Sequence, residues 1–201
     1  MEVQYYNSYS PALIPVVFVG LFVLFFLIWI VVIYNRLVNL RNVISESWSD
    51  VDTELRRRHD LIPNLVETVK GYAAHERQIF ETVAEARSKA ITSMATPERL
   101  SEDESGLVRS VRQLLAVAES YPDLKADQNF LQLQEELVNT EDRIQAARRF
   151  YNGNIREYNT VAQSFPSSII AGAFGFGTRQ FFEIEDLVAR AVSSVVFQQS
   201  S

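Results

Sequence analysis

The sequence predicts an all-α protein: a single N-terminal transmembrane helix followed by an elongated antiparallel helical bundle with long helices. Three observations predict it. Residues 12–34, ALIPVVFVGLFVLFFLIWIVVIY, run without one charge. Beyond them apolar residues recur at steps of three and four, the period of a helix that buries one stripe. Two such stripes are long and of similar length, which argues that they pair antiparallel.

The first element is residues 12–34. As a helix it is about 34 Å long, enough for a hydrocarbon core of ~30 Å with some tilt. Pro11 and Pro15 sit at its start, where a missing N–H costs least. Trp29 and Tyr34 lie near its far end, where amphipathic rings favour the membrane interface. A cleaved signal peptide would have a shorter apolar core, preceding positive charge and a small-residue cleavage site. None of these is present, so the segment reads as a retained anchor. Its N-terminal flank, residues 1–11, has no Lys or Arg, whereas Arg36 and Arg41 follow it. That bias predicts a short external N-terminus and a cytoplasmic bulk.

From Tyr34 the pattern becomes amphipathic without a break. Leu37, Leu40, Ile44, Trp48, Val51 and Leu55 are followed by Ile62, Val66, Val69 and Ala73, then Phe80, Val83 and Ala90. Pro63 interrupts this run, with Asp60 placed to cap a restarted helix. A helix break is therefore expected at Asp60 and Pro63, with helix resuming to about Met94. Residues 95–105 lack periodicity and contain Pro97, so they read as a loop. A helix with Leu107, Val111, Leu114, Ala118 and Tyr121 on one face follows, ending before Pro122.

The last long helix starts near Ala126 and carries Phe130, Leu133, Leu137, Ile144, Tyr151, Ile155, Tyr158, Ala162 and Phe165, with Thr140 or Glu141 filling one gap. It would be about 58 Å long. Gly153 inside it marks a weak point or a close approach. Residues 166–201 close the chain. Pro166 stops the helix, and GAFGFG at 172–177 is flexible and apolar together. Packing against the bundle, contact with another subunit and dipping into lipid all fit it. Residues 183–199 then read as a short amphipathic helix.

Long strings across the bundle carry a family resemblance. YNRLVNLRN, SWSDVDTELRRRHDLIPNLVETVKGYAAHE, EARSKA, LLAVAESYPDLKADQNFLQLQEEL, TEDRIQAARRFYN and YNTVAQSFPSSIIAGAFGF resemble, in order, the LemA family of bacterial membrane-anchored helical proteins. The resemblance covers 34–183, with residues 35–165 as the LemA-like bundle, and leaves 184–201 unmatched. It implies a bacterial cytoplasmic membrane protein with no settled activity. It also implies a partner among membrane proteases or other envelope proteins.

Composition bounds the chemistry. Setting Glu2 aside leaves 24 acidic residues against 19 basic, with no basic face to suit nucleic acid. The absence of cysteine excludes disulfides, zinc–thiolate sites and thiol catalysis. His59 and His75 lack the Glu-x-x-His repeats of a di-iron bundle, and His75-Glu76 continues to Ile79 where a zinc-protease helix needs His. Both read as structural groups. No phosphate-binding or nucleophile motif occurs, so the chain reads as non-enzymatic, with no metal, cofactor or small-molecule substrate.

Two places remain as candidate contacts. Arg56, Arg57 and Arg58 could pair with Glu135, Glu136, Glu141 or Asp142 of the last helix. They could instead read an acidic partner, or touch lipid if the helix lies down, since upright they stand about 33 Å beyond Tyr34. Phe174 and Phe176 of the glycine-rich segment are the apolar candidates. The expected role is a self-associating scaffold or adaptor at the membrane. The alternative is a lipid-binding or membrane-remodelling module built on the arginines and on residues 172–177.

Overall fold

The computed structural model describes residues 13–93 and 97–184. All regular structure among them is α-helical: α1 Leu13–Tyr72, α2 Arg77–Ser93, α3 Pro97–Ala118, α4 Pro122–Lys125, α5 Gln128–Gln163 and α6 Ser167–Ala173. The chain folds as two compact units. Among the described residues the smaller comprises 13–42 with 156–179, and the larger 43–155 with 180–184.

In the larger unit the α1 and α5 segments run antiparallel. Trp48 meets Tyr151, Arg58 meets Glu141 and Tyr72 meets Asp127, so numbers rise on one helix as they fall on the other. One core cluster joins Ile62, Leu65 and Val69 of α1 to Phe80 and Val83 of α2, Leu107, Val111 and Leu114 of α3, Leu124 of α4, and Phe130 and Leu137 of α5. A second gathers Val51, Leu55, Leu100, Ile144, Phe182 and Ile184, with Trp48 and Tyr151 against it. Asp127 caps α5: its Oδ1 accepts the Phe130 N–H at 3.0 Å and its Oδ2 the Tyr72 hydroxyl at 2.9 Å.

The break expected at Asp60 and Pro63 is absent, and α1 continues through both to Tyr72. Pro63 has no N–H for the carbonyl four residues back, that of His59. Arg87 of α2 supplies the donor instead, its Nε lying 2.7 Å from that oxygen. The helix ends just past Gly71, a poor helix former, and the chain turns through 73–76 before α2. Sequence period missed this turn because Val69 before it, Ala73 within it and Phe80 after it are all buried.

Most of the loop expected at 95–105 is helix. α3 starts at Pro97, where proline suits a first turn, and already buries Leu100 and Glu104. Gly153 has nothing within 4 Å of where a Cβ would sit, so it is no close approach. Of the helix expected at 183–199, Glu183 and Ile184 are non-helical, and the rest lies outside the described residues.

The smaller unit contains the uncharged part of α1, whose side chains from Val16 to Ile28 are exposed all round. After the cis Phe165–Pro166 peptide, the Ser167 hydroxyl donates to the Val161 carbonyl at 2.7 Å and joins α6 to the end of α5. Gly175, at φ 73°, closes α6 in the left-handed conformation. The Phe176 N–H then returns to the Ala171 carbonyl at 2.8 Å, a Schellman closure. It turns the ring of Phe176, like that of Phe174, edge-on to Tyr34, with centroids at 5.6 and 5.0 Å.

Candidate functional site

Three helices of the larger unit each place one charged residue where the apolar stripe calls for a hydrophobic one. On α1, Arg58 falls between Leu55 and Ile62; on α3, Glu104 between Leu100 and Leu107; on α5, Glu141 between Leu137 and Ile144. The flanking residues belong to the two apolar clusters, so the charges form a polar layer between them. Arg58 Nη1 donates to Glu141 at 2.8 Å, and Nη2 donates to Glu104 Oε2. His59 Nε2 donates to the other Glu104 oxygen at 2.8 Å. Arg87 of α2 joins the layer through the His59 carbonyl, so four helices meet at it.

All three charged residues are about 0–1% exposed. Burial by itself disfavours a charge on Glu104. The hydrogen bond from His59 and the adjacent Arg58 guanidinium outweigh burial and hold the carboxyl below its ordinary value. Chemically the layer is closed. The guanidinium fills the space between the carboxylates, no solvent reaches them, and among the described residues no His, Asp and Glu group has metal-holding geometry. What such a layer can do is fix register, because sliding any helix leaves a buried charge unpaired.

The other candidates are placed as follows. Arg56 is exposed and bonded to Asp52 at 2.9 Å, which raises its affinity for its proton; Arg57 is exposed. Arg58 is buried with Glu141, so the three arginines do not make one lipid or partner surface. Asp60 and Pro63 lie on the exposed side of the continuous α1. Phe176 is buried and Phe174 is 57% exposed. His59 is internal, and His75 is exposed in the turn after α1. A mixed-charge groove of about 380 Å³ between α2 and α3 is lined by Glu85, Lys89, Glu102, Asp103 and Arg109.

Sequence reasoning missed Glu104, having placed it at the edge of a loop. It also missed two asparagines of α5 that hold the returning chain by their amides. In the larger unit Asn152 donates to the Phe182 carbonyl at 2.8 Å and accepts its N–H at 2.9 Å. In the smaller unit Asn159 treats Arg179 the same way, both contacts at 2.8 Å. Their spacing of seven on one helix face was the available signal.

The profile of the LemA family matches residues 47–197. The match takes in residues 184–197, which the sequence strings had left outside the resemblance. Among similar proteins, Protein LemA of Metamycoplasma hominis is 29% identical over 156 residues, covering 74% of this chain and 68% of its own. Magnetosome protein MamQ 2 of Paramagnetospirillum magneticum is 23% identical over 175 residues, and MamQ of Magnetospirillum gryphiswaldense 22% over 174. These matches cover 75% and 74% of this chain, and span 64% of each MamQ protein's length. With an N-terminal helix long and apolar enough to cross a bilayer, these relatives describe a membrane-associated helical protein.

Proposed function

The chain belongs to the LemA family, and from that premise we propose a non-enzymatic scaffold, anchored by α1 and self-associating at the membrane. The observation that carries this reading is α1 itself. One uninterrupted helix bears both an uncharged, fully exposed stretch and a stripe that packs into a helical bundle. The buried charges of the bundle pair with one another, which suits a role in fixing register. Self-association is supported by Leu131 and Val138, each half exposed and seven residues apart on one face of α5. Arg36 and Arg41 favour a cytoplasmic bulk in a bacterial inner membrane. The relatives' names state no reaction, which suits an organising role beside a membrane protease or another envelope protein.

Light scattering of the detergent-solubilised full-length chain tests this. A defined assembly that falls apart in Leu131→Glu/Val138→Glu is expected. A monomeric wild type would sink self-association and direct the search to a separate partner. The lipid-remodelling alternative loses Arg58 and Phe176 to the interior, which leaves it the exposed Arg56, Arg57 and Phe174.

A further inference from the structure

The chain has a second long stretch without charge. Between Glu157 and Arg179 there is no Asp, Glu, Lys or Arg, and the stretch includes α6. Most of α6 is apolar, yet only Ile170 and Ala171 among its apolar side chains are buried. Phe165 is 82% exposed, Ile169 64% and Phe174 57%, with Ala173 exposed on the same turn as Ile169. Large exposed apolar groups gathered in one short stretch without an intervening charge are the mark of an interaction or membrane-contact surface.

The depth of this surface is set within its own unit. Tyr34 closes the uncharged part of α1, and the ring of Phe174 lies 5.0 Å from it, less than one helical turn of about 5.4 Å. A Tyr at that end of a span marks the interface between acyl chains and headgroups. Charges border the same place. Arg41 stacks over Phe176 at 5.7 Å, and Arg36 pairs with Glu157 at 3.4 Å. Residues 35–42 and 156–179 hold four arginines against one glutamate, a net +3 in a chain of net −6. Apolar groups facing out beside the end of a span, in a unit of net positive charge, complement an anionic bilayer surface.

We propose that Phe165, Ile169 and Phe174 form an interfacial foot, seated among the headgroups and upper acyl chains of an anionic bilayer beside the exit of α1. The foot rests on the reading of α1 as a membrane span, and makes the α5–α6 end a second, monotopic contact with the same leaflet. The protein then holds its membrane by two points, so α1 is not free to swivel.

Because the natural chain has no cysteine, single-cysteine labelling is clean. Full-length protein carrying a fluorophore at Ile169→Cys, at Leu24→Cys or at Asn139→Cys would be reconstituted in vesicles of phosphatidylglycerol and phosphatidylcholine. The expected result is Ile169 quenched by lipids spin-labelled near the headgroup and several-fold less accessible to iodide than Asn139. Iodide access at Ile169 equal to that at Asn139 would overturn the foot. Protection without lipid quenching, lost on dilution into excess lipid, would assign the surface to a second copy and overturn it too. Leu24 unquenched by deep spin labels would instead remove the span itself. Replacing phosphatidylglycerol with phosphatidylcholine is expected to raise iodide access at Ile169, and unchanged access would remove the arginines from the contact.

Discussion

The two units arrange polarity in opposite ways. The larger buries Arg58, Glu104 and Glu141 between apolar layers. The smaller keeps its charges at a border and leaves large apolar side chains exposed, along α1 from Val16 and again at Phe165 and Ile169. A buried charge is tolerable only with its partner in place, so the larger unit's interior is specific. A continuous run of exposed apolar side chains is favoured where the surroundings are themselves apolar, and that is the property on which the proposed membrane contacts of the smaller unit rest.

Breaking the polar layer should give the largest effect. Arg58→Met leaves two buried carboxylates facing each other and is expected to cost about 3–5 kcal/mol in denaturant unfolding of the full chain. Adding Glu104→Leu and Glu141→Leu should restore most of that stability, while loosening the single register that one paired set of charges enforces. If Arg58→Met alone is near neutral, the layer is not what holds these helices.

Next in size is the carbonyl left by Pro63. Arg87→Met strips the His59 oxygen of its donor and should cost about 1–3 kcal/mol. Pro63→Ala alone should change stability by no more than about 1 kcal/mol, since Ala brings an N–H to the same oxygen. In that background the Arg87→Met loss should shrink, and a double-mutant cycle reads the coupling. Additive losses would mean that Arg87 acts elsewhere.

Acid gives a third test. The Glu104 carboxyl titrates below its unfolded value of about 4.3, so the native state binds fewer protons than the unfolded one near that pH. Its contribution to stability is therefore complete above about pH 4.3 and is lost as pH falls through the lower folded value. Glu104→Gln should flatten the acid limb of the pH–stability curve. A limb of unchanged steepness would put the acid sensitivity on other carboxylates. The smallest effect is a gain: Gly153→Ala, with open space at its Cβ, should stabilise α5 by up to about 1 kcal/mol, read as a raised Tm.

The candidate site was half legible before the fold was known. The stripes of α1 and α5 both showed a gap, with Glu141 named as a filler of one and as a partner for the arginines. What hid Glu104 was polarity: a stretch rich in Ser, Glu and Asp resembles a loop until Leu100 and Leu107 are seen to lie in phase with it. The Pro63 break failed for a related reason. A proline's cost in a helix depends on whether something else satisfies the orphaned carbonyl, and Arg87 is twenty-four residues away in sequence.

By itself, then, the sequence determined what depends on local order: the uncharged 12–34 stretch, the helical period, the all-α class and the family strings. Those follow from propensity and periodicity, which act over a few residues. The tertiary structure decided which of three adjacent arginines is buried, that α1 passes through Pro63, and that the rings of Phe174 and Phe176 meet Tyr34. Each of these rests on groups brought together from distant positions in the chain, and no period along one helix records the chemistry of its neighbour.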